Sequence, residues 1–143
     1  MKLGIVGHAQ EKFTLQTQIA AHGRILDAVK KHQPTHIVSG RSPMGGVDIY
    51  AETIASTLSI PTIIHAPKRN TWSAPGGFKE RNLAIARDSD LVLVVVVAEY
   101  PEGYTGMRFK DCYHCKGRNP PHIKSGGCWT AWQCPRHEWV IIR

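Results

Sequence analysis

Leu91-Val92-Leu93-Val94-Val95-Val96-Val97-Ala98 is the longest apolar run in the chain. It is strand-length, rich in β-branched residues and free of polar alternation, the pattern of a strand covered on both faces at the centre of a parallel sheet. Shorter strands are predicted at Lys2–His8, Thr35–Ser39, Thr62–Ala66 and Trp139–Ile142. Between them, Leu15, Ile19, Leu26 and Val29 recur at helical spacing over residues 11–32, with Gly23 interrupting that helix and Pro34 ending it. Val47, Ala51, Ile54 and Leu58 mark one face of a second helix, ended by Pro61. A third helix is expected from Phe78 to about Arg87, and a short one from Trp129 to about Gln133, broken by Pro135. Strands alternating with helices imply an α/β single domain: a doubly wound parallel sheet of about five strands with right-handed crossovers.

The totals agree with one ordinary soluble domain: 143 residues, 42% hydrophobic and 20% charged. No apolar run approaches the roughly 18 residues a membrane span needs. Leu3–Val6 is too short for the apolar region of a signal peptide, so a cytoplasmic protein without a membrane partner is expected. A net charge of +7 suits an anionic ligand, a small nucleotide or a polynucleotide. The Lys and Arg residues are scattered and no basic stripe interleaved with aromatics stands out, which disfavours the polynucleotide. A homodimer is compatible with these totals.

Ligands of such sheets bind outside the carboxyl ends of the strands. Four loops converge there: Gly7-His8, the glycine loop Gly40–Asp48, the polar loop around Trp72, and Ser125-Gly126-Gly127-Cys128-Trp129-Thr130. Paired glycines before a helix let backbone approach a ligand and aim free N–H groups at an anion; the plain alternative is a Gly-Gly turn. Gly7, His8, Gly40, Ser42, Gly45, Gly46, Asp48, Arg81, Ser125, Gly126, Gly127 and Thr130 are the candidate ligand site. Asp48 reads either as a dipole-stabilising carboxylate in a first helical turn or as a ribose-hydroxyl acceptor. Ser39 and Ser42 hydrogen-bond a phosphate or cap the turn. Trp72 stacks on a base or covers the core edge, Asn82 is ambiguous, and Lys68 and Arg69 read as solvated.

Gly40…Gly46-Val47-Asp48, Lys79-Glu80-Arg81-Asn82, an apolar strand and Gly126-Gly127-x-x-Thr130, in that order, resemble the SLOG superfamily of Rossmann-like proteins. That superfamily includes the Lonely Guy phosphoribohydrolases, the DNA-processing protein A fold and nucleotide-sensing domains. The resemblance covers most of the chain except Glu99–Lys124. It implies a nucleotide-type ligand, with Gly126, Gly127 and Thr130 in the phosphate loop. In the enzyme branch it implies a phosphoribohydrolase-type N-glycosidase acting on nucleoside 5′-monophosphates, with Arg81 at the catalytic arginine position. Trp129 and Gln133 stand where that branch has glycine and glutamate. Gln133 cannot ionise, so it supplies neither a base nor a stabilising charge; Glu80 and Asp48 are other sources of a carboxylate. The pattern around Gly46-Val47-Asp48 looks closer to the nucleotide-binding members.

The insertion 99–124 is rich in Gly, Pro, Cys and His and has no periodicity. Cys112-Tyr113-His114-Cys115 has the spacing at which two thiolates reach one tetrahedral ion. His122 and Cys128 complete a compact set; Cys134 and His137 complete a longer one. The first is favoured because Cys128 lies at the sheet edge from which the insertion leaves, whereas Cys134 is about 9 Å further along the helix. The expected cofactor is a structural Zn²⁺ that orders a loop with little apolar content. Free thiols in a floppy lid are the plain alternative, and a redox pair fits the position less well.

Overall fold

The computed structural model describes residues 1–143. In chain order its elements are β1 (Lys2–Gly7), a 3₁₀ turn (Gln10–Lys12), α1 (Leu15–His32), β2 (His36–Ser39), α2 (Val47–Thr57), β3 (Thr62–Ile64), α3 (Phe78–Asp88), β4 (Leu91–Val97), α4 (Gly126–Trp132) and β5 (His137–Ile142). The strands form one all-parallel sheet in the order β3-β2-β1-β4-β5. The chain winds one way from β1 to β3 and the other way from β4 to β5, so the order reverses between β1 and β4. That reversal opens a crevice at their carboxyl ends.

All seven residues of β4 are buried. Their side chains alternate between two cores, as the pleat requires. Leu91, Leu93, Val95 and Val97 join Leu3, Ile5, Ile37 and residues of α1 and α2. Val92, Val94 and Val96 join Val6, Val38, Ile85 of α3, Ala131 of α4 and all four cysteines. No helix is long and apolar enough to cross a membrane.

Four expectations need correction. Gly23 does not interrupt α1: a side chain there would meet open space, and the helix runs unbroken for 18 residues from a Thr14 capping box to a left-handed Gln33. The buried face of that helix is Ala21, Ile25, Ala28 and Val29, while Leu15 and Ile19 are 73% and 63% exposed. Leu58 likewise falls beyond α2, at its exposed C-cap. Finally, α4 starts at Gly126 rather than Trp129, because Ser125 is its N-cap and accepts from the Gly127 N–H at 3.1 Å.

Candidate ligand cleft and metal centre

A cleft of about 590 Å³ lies at the β1/β4 reversal. From β1 and the turn after it come Gly7, His8 and Lys12; from the loop before α2 and its first turn come Ser42, Gly45 and Asp48. Trp72, Phe78, Arg81 and Asn82 form the α3 side, and Tyr113, His114 and Lys124–Gly127 the side contributed by the insertion and α4. Nine of the expected ligand residues therefore meet in one space. Gly40, Gly46 and Thr130 do not line it.

Those three have structural duties. Gly40 makes room for Arg81, whose guanidinium occupies the space of a side chain there and donates to the Gly40 carbonyl at 2.6 Å. Gly46 is the N-cap of α2 at φ 89°, where any side chain would collide with the His8 and Ala9 backbone. The Thr130 hydroxyl donates to the Gly126 carbonyl at 3.0 Å, within its own helix. Gly127 also serves packing: a Cβ on it would lie 3.0 Å from the Gly7 nitrogen and 3.1 Å from Val6. Gly7 in turn has no room for a Cβ against the Val95 carbonyl. The two glycines let α4 sit directly on the end of β1; both line the cleft, and a side chain on Gly126 would point at Trp72 and Asn82.

Asp48 and Arg81, expected to address a ligand, address each other at 3.6 Å. Burial pushes the Asp48 carboxyl up to about 6, against the Arg81 charge and the Ser42 N–H it accepts at 3.0 Å. Arg81 also donates from Nε to the Asn82 side chain at 2.6 Å, so two of its five N–H donors are held by the protein. The pair fixes the loop before α2 against α3 while both side chains remain on the cleft wall. Trp72 packs edge-on against Trp129, ring centres 5.1 Å apart, and lines the cleft partly exposed. Glu80 instead accepts the Gly76 N–H at 2.7 Å, and Gln133 is exposed at the far end of α4; neither lines the cleft.

His8 lines the cleft but its ring is spent on backbone. Nδ1 accepts from the Val97 N–H at 3.1 Å, and Nε2 faces the Ile123 and Lys124 carbonyls at 3.2 and 3.1 Å. That pattern requires the neutral Nε2–H tautomer, and burial holds the pKa down to about 4. Lys12, Tyr113, His114 and Lys124 were not expected here; burial also lowers the His114 pKa, keeping that ring neutral.

Behind the insertion wall, Cys112, Cys115, His122 and Cys128 are all buried, with their ligand atoms within 4.8 Å of one another. His122 Nε2 lies 3.5 Å from Cys115 Sγ and 3.4 Å from Cys128 Sγ. Adjacent sulfur and nitrogen ligands of a tetrahedral zinc lie about 3.5 Å apart. His122 Nδ1 donates to the Pro120 carbonyl at 2.7 Å, which leaves the Nε2 lone pair free to bind an ion. Asn119 donates to Cys115 Sγ at 3.4 Å and the Trp139 indole to Cys128 Sγ at 3.3 Å, contacts that suit thiolates. Without a cation the thiols compete: hydrogen bonds from Cys128 and His122 hold the Cys112 thiol well below its usual range, and the Cys128 thiol is pushed up by its bond to Cys112 and by burial. A divalent ion would remove that competition. The four residues thus form a buried tetrad suited to a metal ion such as zinc. Cys134 and His137 are not part of it: Cys134 Sγ faces the Ser89 carbonyl at 3.6 Å, and His137 Nδ1 faces the Ala131 and Cys134 carbonyls.

Comparison of the chain with protein-family models, with curated proteins and with solved structures gives no match. The likeness to the SLOG superfamily therefore remains a resemblance, carried by the motifs quoted above.

Proposed function

We propose that the protein binds a nucleotide, or a ligand built from one, in the cleft between β1 and β4, and that a structural Zn²⁺ at Cys112, Cys115, His122 and Cys128 orders the insertion beside it. The observation that carries the first part is the cleft's lining. Three cations, Lys12, Arg81 and Lys124, face it with a single acid, Asp48, next to the Gly126 backbone and the Trp72 ring. That combination offers charge to a phosphate and a flat face to a base. The volume is within the range of small-ligand pockets. For the metal, three thiols and an imidazole fill all four tetrahedral positions, so no place is left for a reactive water. Four unpaired cysteines suit a reducing compartment such as the cytoplasm. Calorimetry of the zinc-loaded protein against a panel of nucleoside mono-, di- and triphosphates tests the cleft; saturable binding of at least one is expected, and none would refute the reading.

One observation favours a second reading, an N-glycosidase acting on nucleoside 5′-monophosphates. Asp48 is a buried carboxyl with its pKa near 6, on the cleft wall beside Arg81, and a group so poised is suited to acid–base work. It would replace the glutamate that Gln133 does not supply. Release of free base by the wild-type protein, lost in both Asp48→Asn and Arg81→Ala, would establish it. Binding without base release would leave the protein a binder.

A further inference from the structure

The metal ligands bracket the cleft wall in two pairs. Tyr113 and His114 lie between Cys112 and Cys115, and Lys124–Gly127 lie between His122 and Cys128; all six line the cleft, and none of the four ligands does. From this we propose that the Cys₃His centre is an effector site for the cleft: a metal ion and the cleft's ligand bind with positive coupling, so the protein takes up its ligand according to metal supply. The proposal rests on the nucleotide reading of the cleft.

The packing explains why the ion would control this wall. Residues 99–124 contain no strand or helix, and their only buried residues are Cys112, Cys115, His122 and Ile123. Three of those four are metal ligands, so the ion takes the place that apolar contacts hold in the rest of the domain. Other ties run within the segment and at its ends: the Asp111 carboxylate accepts the Cys112 and His122 N–H groups, and the Tyr100 hydroxyl accepts the Phe109 N–H. His8 holds the Ile123 and Lys124 carbonyls, and the Arg118 guanidinium lies 3.6 Å over the Trp132 ring. None of these holds the Tyr113 and His114 backbone, which makes no backbone–backbone hydrogen bond, and the ring contacts of Tyr113 are to Phe109, His114 and Lys124 of the same segment. Gly126 and Gly127 have a second support in the packing of α4 on Gly7. Loss of the ion is therefore felt most at Tyr113 and His114, less at Lys124 and Ser125, and least at the two glycines.

Whatever factor the ion adds to ligand affinity, the ligand must add to ion affinity, because the coupling is reciprocal. This separates an effector from a passive staple that is saturated and unchanging.

The test compares full-length protein loaded with zinc, the same protein after chelation, and Cys115→Ser. Amide hydrogen exchange is expected to quicken about tenfold or more at residues 113–114 on zinc removal, while β1 and β4 stay protected. Calorimetry with AMP, GMP, CMP and UMP is expected to show at least one binding the loaded protein about tenfold more tightly than the stripped one. Zinc competition against a chromogenic chelator should then shift by the same factor when that nucleotide is present. Equal exchange at 113–114 with and without zinc, or nucleotide binding indifferent to zinc, overturns the coupling and leaves the nucleotide reading intact. Failure of all four nucleotides and of their di- and triphosphates to bind the loaded protein overturns that reading, and the coupling with it. Chelated wild-type protein serves as the second measurement should Cys115→Ser fail to fold.

Discussion

His8 ties the insertion to the sheet: its Nε2 faces the Lys124 carbonyl at 3.1 Å while its Nδ1 accepts the Val97 N–H of β4 at 3.1 Å. His8→Ala would leave a buried backbone donor without a partner and a cavity behind it, a loss of about 2–4 kcal/mol. Chemical denaturation measures the loss, and limited proteolysis should show earlier cutting within residues 99–124. Wild-type stability in the variant would mean that the imidazole is dispensable.

The adjacent glycines of α4 should respond in opposite ways. Gly127→Ala places its methyl against the Gly7 backbone and is expected to cost about 1–3 kcal/mol. Gly126→Ala meets only Trp72 at 3.5 Å and Asn82 at 3.7 Å, and should be neutral within about 0.5 kcal/mol. Gly126→Asp, whose Cβ the same space admits, should weaken nucleotide binding by adding negative charge where a phosphate approaches. Calorimetry on the three variants separates packing from recognition.

Asp48 has a pH signature whose sign is fixed by burial. Its folded pKa of about 6 lies above the ordinary 3.8, so the folded state binds the extra proton and Asp48 favours folding less as pH rises through that interval. Asp48→Asn should therefore gain stability relative to wild type by roughly 1–2 kcal/mol between pH 5 and pH 8. His8 acts in the opposite direction, because its folded pKa of about 4 lies below its ordinary 6.5 and its neutral-state stability is lost as pH falls towards 4. The comparison of variant with wild type removes that contribution. Parallel denaturation curves at the two pH values would place Asp48 in the normal carboxylate range.

Elemental analysis of protein purified without chelators should find one zinc per chain. The ion should persist in Cys134→Ser, whose thiol faces the Ser89 carbonyl, and be lost in Cys115→Ser. The reverse pattern would assign the ion to the longer-spaced set.

The strands were legible because β4 carries an unbroken apolar run that only a doubly covered position tolerates. Helix faces were less so. On α1, Leu15 and Ile19 outweigh alanines in any hydrophobic pattern, but close packing against the sheet selects the small Ala21 and Ala28 beside Ile25. The start of α4 was missed because two glycines are poor helix formers, whereas the Ser125 cap and the close seat on Gly7 override propensity. The metal set was readable from spacing together with the position of Cys128 at the sheet edge. Asp48 and Arg81 were placed at the same crevice edge, but each was read toward a ligand, and no spacing in the sequence shows that the two side chains pair with each other. His114 and Lys124 sit in a segment without periodicity; the available signal was their position between residues read as metal ligands at the crevice edge.

The register of β4 with β5 bears on the order in which the chain folds. Val97 and Ile142 are paired, yet about 40 residues separate the end of β4 from the start of β5, and this is the widest gap between paired neighbours in the sheet apart from that between β1 and β4. The four-stranded portion can assemble from the first 97 residues, while β5 must wait for a long loop to close. An ion gripping Cys112 and Cys128 shortens that search and delivers α4 to the sheet edge, so zinc supply should set the rate of the last folding step as well as the stability of its product.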